Sequence, residues 1–234
     1  MTKNEQVIAH RVNSENLIEF EIVRNLRHPN LLHHFGDVSI TGSPLSYFIV
    51  ENHELTLFDY RKHVNDPSEQ WIINTFLQIL DAVYFIHFKG YVHRNICAEN
   101  ILTFNAGTKM KISNFSNASF SMNASSEAMF SDIVQAPEYL SPETVLGIPY
   151  KGFLQDAWST GIVLSYLISG RYHWDLALNK DYINFLLFKK YGSPFKIVKN
   201  KTLKDFLTML LNVSPQRRST VFGIVTNYIG VCSL

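Results

Sequence analysis

Two apolar helical stretches, each closed by a glycine, set the bounds on what this chain can fold into. In the first, Ile73, Phe76, Leu77, Leu80 and Tyr84 recur at helical spacing until Gly90 breaks the pattern. The second runs from Asp156 to Ser169 and stops at Gly170. Apolar stripes of this kind must be buried against other helices, so the later part of the chain is expected to be a helical body. Asp66 is the expected cap of the first stretch, with Pro67 in its first turn and Glu69 three residues on. Further helices are expected near 180–190 and 202–213, and short β segments at 91–94, 100–104 and 109–113.

The first fifty residues have a different character. Residues 5–12 read as a strand, and Ser14 as the cap of a helix over 15–27 with Ile18, Ile22, Val23 and Leu26 on one face. His28-Pro29-Asn30 ends that helix, because a residue before proline avoids the α region. Strands near 31–39 and 45–51 follow, divided by a Thr41-Gly42-Ser43-Pro44 turn. Together these give an α+β class, with a small sheet-bearing part before a mainly helical one. Residues 113–131 carry seven serines and few large apolar side chains, which reads as a mobile loop.

At 46% hydrophobic and 18% charged, the 234-residue chain is no disordered sequence. With 21 Lys and Arg against 20 Asp and Glu, it has no bulk attraction for nucleic acid or a membrane surface. No apolar run is expected to span a bilayer, the start lacks a secretory core, and the expected setting is cytoplasmic. Cys97 and Cys232 lack the spacing of a disulfide framework or a zinc site. His33 and His34 are adjacent on an expected strand and so face opposite sides, which excludes a shared ligand role. No metal site is expected.

Five strings carry the chemistry: Tyr91-Val92-His93-Arg94-Asn95-Ile96-Cys97-Ala98-Glu99-Asn100-Ile101-Leu102, Lys111-Ile112-Ser113-Asn114-Phe115-Ser116, Tyr139-Leu140-Ser141-Pro142-Glu143, Asp156-Ala157-Trp158-Ser159-Thr160-Gly161 and Pro215-Gln216-Arg217-Arg218-Ser219-Thr220. In this order they resemble the protein kinase superfamily. The strings match its catalytic loop, metal-binding segment, activation-segment end, central helix and late arginine motif. The resemblance implies a protein-kinase-like bilobal fold. Residues 1–52 would be a truncated N-lobe and 53–234 a mainly helical C-lobe.

It also implies where the chemistry is lost. Asn95 stands where the family has its general base, and a carboxamide takes no proton at neutral pH. Cys97 replaces the lysine two residues on. Asn114 replaces the magnesium-anchoring aspartate, while the second metal ligand, Asn100, is kept. The first glycine is Gly36, so the glycine-rich phosphate loop and its flanking strands are missing. No lysine stands near Ile8-Ala9-His10-Arg11. Either His10 or Arg11 fills the phosphate-lysine slot, and Arg11 paired with Glu19 would keep an architectural ion pair.

Positions with packing roles are retained. Val23, His93 and Phe115 match members of the stack that links the lobes. Asp156 matches the buried carboxylate beneath the catalytic loop, and Glu143 with Arg218 a buried pair that staples the C-lobe. The implied function is an inactive kinase-like domain that binds protein partners, with no cofactor. ATP with magnesium belongs only to two alternatives, a nucleotide-binding switch or a divergent serine/threonine kinase. A serine phosphate from 113–131 engaging Arg94 is one reading of that loop. The stretches Asn13–Ile40, Val92–Leu102 and Trp158–Leu187 are similar to the kinase-like domain of TBC-domain-containing kinase-like proteins, which implies a trafficking or signalling complex.

Overall fold

The computed structural model describes residues 6–13, 16–39, 41, 45–122, 126–172 and 198–229. The smaller part holds β1 (Val7–Asn13), α1 (Leu17–Asn25), β2 (His34–Ser39) and β3 (Leu45–Glu51). The strands form an antiparallel sheet in the order β1-β3-β2. Alternation along β1 turns Ile8 and Val12 toward α1, where they pack with Phe20, Phe48 and Val50. Asn16 caps α1 by accepting from the Glu19 amide at 3.2 Å. The expected cap, Ser14, lies outside the described residues. The helix is also shorter than expected at each end, because Leu26 is already extended.

The larger part begins with α2 (Leu57–His63) and α3 (Glu69–Phe88). Then come β4 (Tyr91–Val92), β5 (Ile101–Phe104), β6 (Lys109–Ile112), β7 (Ser119–Phe120), β8 (Met129–Phe130), α4 (Pro142–Val145) and β9 (Tyr150–Lys151). The chain continues into α5 (Gly152–Ser169), α6 (Lys201–Leu210) and α7 (Val221–Ile224). Its core lies between α3, α5 and α6, where Phe76, Leu80, Trp158, Ile162, Phe206 and Leu207 are buried together. Gly170 ends α5 in the left-handed conformation, at φ 68°, where a Cβ would be strained.

Several expectations need correction. Ser68, not Asp66, caps α3: its hydroxyl accepts from the Trp71 amide at 3.2 Å, so the helix starts beyond Pro67. The second long helix starts at Gly152, four residues before Asp156, and the one expected over 202–213 ends at Leu210. The helix expected near 180–190 lies outside the described residues. The serine-rich stretch is not a free loop throughout. Ser119 and Phe120 pair with Val92 and Tyr91, and Phe130 pairs with Tyr150.

By length and composition alone α3 is long and apolar enough to cross a membrane, contrary to the expectation that no apolar run would be. Ile72, Phe76, Ile79, Leu80 and Val83 on α3 are buried in the core, while Gln70, Asn74 and Asp81 are exposed, which is the pattern of a core helix.

The two parts are tied together along one seam. Leu32 donates to the Ile112 carbonyl at 2.9 Å, and Ile112 donates back to Asn30 at 2.8 Å. The buried Asn30 amide spans the Met110 carbonyl (2.7 Å) and Gln78 Oε1 (3.0 Å). Lys111 Nζ sits 2.5 and 2.7 Å from the two Glu51 oxygens. Val23 belongs to both apolar clusters and so packs across the same seam. Asn30→Ala strands the Met110 carbonyl in a buried place. It is expected to cost about 2 kcal/mol in urea unfolding, with the slope of the transition unchanged.

Candidate functional site

The site loop, residues 93–100, hangs from one buried carboxylate. Asp156, 1% exposed on α5, accepts the His93 and Arg94 amides at 2.8 Å each. His87 Nε2 lies 3.0 Å from the same carboxylate. Those two bonds hold Arg94 at φ 62°, a conformation that costs a non-glycine residue on the order of 1 kcal/mol or more. His93 is fully buried, and desolvation first of all pushes its pKa down. As a neutral ring it donates Nε2–H to the Ser113 carbonyl (3.0 Å) and accepts the Asn95 amide on Nδ1 (3.2 Å). Its ring lies 4.9 Å from that of Phe115. The loop and the 113–116 segment are thereby locked together.

Asn95, Asn100 and Asn114 come together on this frame. Asn114 Nδ2 donates to Asn100 Oδ1 at 3.1 Å, and Asn100 Nδ2 donates to the Asn95 carbonyl at 2.9 Å. Ser116 Oγ donates to Asn114 Oδ1 at 2.7 Å. The Asn100 and Asn114 side-chain oxygens each already accept a hydrogen bond from this chain. No carboxylate stands among the three. Magnesium demands charged, hard oxygen donors in near-octahedral array, and this set of engaged neutral amides does not suit it.

Cys97 is buried 4.0 Å from Asn95 Oδ1, and its thiol is pushed up to about 12 by burial and then by Glu99. It is no nucleophile at neutral pH. Beside it, Glu99 accepts from Tyr139 (3.1 Å) and Tyr172 (2.9 Å), whose hydroxyls lie 2.7 Å apart. The Ala98 amide donates to the Tyr139 hydroxyl at 2.9 Å. This tyrosine–glutamate cluster escaped the sequence reading, since its members are separated by tens of residues.

The strand register separates His10 from Arg11. His10 pairs with Phe48 on the face that carries Ile8, Val12 and Val50, toward α1, whereas Arg11 pairs with Tyr47 and is exposed on the other face. The expected Arg11–Glu19 pair therefore does not form. His10 is held below its ordinary pKa by burial and by His53, whose ring is 5.8 Å away, so it is neutral at pH 7. Glu19 is buried with Asn16 as its hydrogen-bond partner. Burial alone raises its carboxyl to about 7. His10 is thus neutral at pH 7, and Glu19 is only partly ionised there.

Arg218 Nη1 and Nη2 meet Glu143 Oε1 and Oε2 at 2.6 and 2.9 Å, both residues buried. Arg218 also donates to the Asn212 and Leu154 carbonyls and lies over the Trp158 ring. A buried network around Gln135, Gln155 and Ser159 was not foreseen. It ties the chain before Tyr139 to α5.

Glu19 gives a pH test. Its folded pKa lies above the ordinary 4.5, so its contribution to stability is whole below pH 4.5 and lost as pH rises through 7. Glu19→Gln removes that loss. The variant is expected to match the parent near pH 4 and to exceed it by about 2 kcal/mol at pH 8, read by urea unfolding.

The comparisons with known proteins agree with this architecture. The protein kinase domain family matches residues 2–228. The chain is 30% identical over 214 residues to "Probable serine/threonine-protein kinase KCC4" of Saccharomyces cerevisiae, covering 89% of this chain and 20% of that protein. Serine/threonine-protein kinase GIN4 of the same yeast is 32% identical over 205 residues, 86% of this chain and 17% of that protein. The mouse protein "NUAK family SNF1-like kinase 1" is 28% identical over 210 residues, 90% of this chain and 31% of that protein. This chain thus spans less than a third of the length of each of these relatives. With the match running through nearly all of its residues, the chain belongs to the protein kinase domain family.

Proposed function

We propose that this kinase domain is a pseudokinase that works by binding protein partners. The supporting observation is the amide contact between Asn114 and Asn100. Phosphoryl transfer relies on cations that neutralise charge developing on the phosphate oxygens, with a base to receive the acceptor proton. In place of these the cleft offers Asn95, two mutually bonded asparagines and a neutral His10. Losing the base alone costs on the order of 10²–10⁴ in rate. The packing framework around Asp156, His93, Phe115, Glu143 and Arg218 fits a domain whose surfaces matter. A signalling or trafficking complex in the cytoplasm is the proposed setting, the latter on the likeness to TBC-domain kinase-like proteins.

A divergent serine/threonine kinase is the second reading, and the similarity to yeast proteins named as serine/threonine kinases favours it. Transfer from γ-labelled ATP to casein separates the two. The pseudokinase reading predicts no labelling above that of Asn100→Ala. It also predicts none from the double variant Asn95→Asp, Asn114→Asp, because the phosphate-facing cation would still be missing. Labelling by the parent chain that Asn100→Ala abolishes would establish the kinase reading instead.

A further inference from the structure

The three-stranded sheet of the smaller part has two edges, and they differ. The order β1-β3-β2 leaves β1 and β2 outermost among the described residues. The β2 edge is blunted. A bulge between His34 and Gly36 breaks its register, and Asp37 puts a charge there, paired with Arg24 of α1 at 2.9 Å. The β1 edge has neither device. Its seven residues, Val7–Asn13, pair with β3 in an unbroken register. They include no proline or glycine, and Arg11 is their one permanent charge.

The ladder fixes which backbone groups face outward. The Glu51 amide donates to the His33 carbonyl at 3.2 Å, so Glu51, Ile49 and Tyr47 turn their amides and carbonyls toward β2. Phe48 and Val50 alternate with them and turn toward β1, where they meet His10 and Ile8. The other set on β1, Val7, Ala9 and Arg11, therefore points its amides and carbonyls along the open edge. Side chains at this edge are incompletely covered as well. Ile8 and Val12 pack on Phe20, Phe48 and Val50 yet are only half-buried, and Val7 is 50% exposed. An edge of this kind takes another extended strand, one with apolar residues on the face toward α1.

We propose that the β1 edge pairs with β1 of a second copy of this chain, antiparallel about a two-fold axis at His10, to make one continuous six-stranded sheet. An axis perpendicular to the sheet keeps both α1 helices on the same face, as a symmetric dimer requires. In this register Val7 lies opposite Asn13 of the copy, Ile8 opposite Val12 and Ala9 opposite Arg11, so the whole strand is used. The outward amides and carbonyls of Ala9 and Arg11 bond across the axis. Ile8 and Val12 form two apolar cross-strand pairs that cover the half-buried cluster. Arg11 faces alanine and not its own copy, and the His10 rings that meet at the centre are neutral at pH 7. The proposal is independent of whether the cleft transfers phosphate.

Sedimentation equilibrium of the chain from about 1 to 300 μM tests this, because a strand pair smaller than the roughly 1,600 Å² of a standard interface is expected to associate at micromolar concentration. The parent is expected to move from 26.9 kDa toward twice that mass as its concentration rises. Ala9→Pro removes an outward N–H that β3 does not use, so the fold is kept and the dimer is lost. Ala9→Lys sets two like-charge pairs against Arg11 and is expected to weaken association about two- to thirtyfold. Ala9→Glu sets two opposite-charge pairs there and is expected to strengthen it by a similar factor. Urea unfolding in dilute solution, with parent-like midpoints expected, controls for folding. A parent that stays at 26.9 kDa throughout would overturn the proposal. So would a dimer that folded Ala9→Pro leaves intact, or one that Ala9→Lys and Ala9→Glu change in the same direction.

Discussion

The Asp156 carboxylate, sealed beneath the site loop, is the contact on which the rest of the site depends. Its oxygens receive the two consecutive amides that let Arg94 adopt a positive φ. From that turn follow the His93 tautomer, the Ser113 bond, the ring contact with Phe115 and the approach of Asn114 to Asn100. Removing the carboxylate would leave two buried N–H groups unpaired and a strained backbone unsupported, each worth 1 kcal/mol or more. The loop is rigid because α5 is rigid, and α5 is rigid because nearly every residue from Gln155 to Leu167 is buried.

The same frame holds the side chains at 95, 100 and 114 in place. The Asn114 and Asn100 side-chain amides bond directly to one another, and Asn100 also donates to the Asn95 backbone carbonyl. Asn114 also tolerates its φ of 62° better than most residues, since asparagine adopts the left-handed region readily. Cys97 fills its buried place as a small apolar group. His10 is neutral at pH 7 and the Glu19 carboxyl only partly ionised, so no fully charged pair is buried there. By contrast Arg218 and Glu143 form a buried bidentate pair, and removing either would strand the other.

Much of this was legible in the residues, and the parts that were not share a cause. The long helices and all four early elements were legible, because burial of one face is a local pattern. Cap identity was less legible: Asp66 and Ser68 both have the right chemistry, and only the placement of Pro67 outside the helix decides for Ser68. Helix α2 was missed, since its seven residues are too few to show a stripe. The choice between His10 and Arg11 is a matter of strand register, which β3 sets from forty residues away. The serine-rich stretch looked loose because composition says nothing of distant partners. Ser121 bonds to the Gly90 carbonyl, and Phe120 stacks near Tyr91. Gln135 carries no sequence signal at all, and its partners lie in the site loop and on α5.

Whether the cleft grips a nucleotide is measured most directly by thermal unfolding of the chain in saturating ATP, with magnesium and with EDTA. A ligand that binds only the folded state must raise stability, by about 2.7 kcal/mol at a hundred times its dissociation constant. For a domain of this size that is a rise of roughly 5–10 °C. A cleft of self-satisfied amides and a neutral histidine predicts a midpoint unchanged to within about 1 °C in either condition. A rise of several degrees that requires magnesium would contradict it.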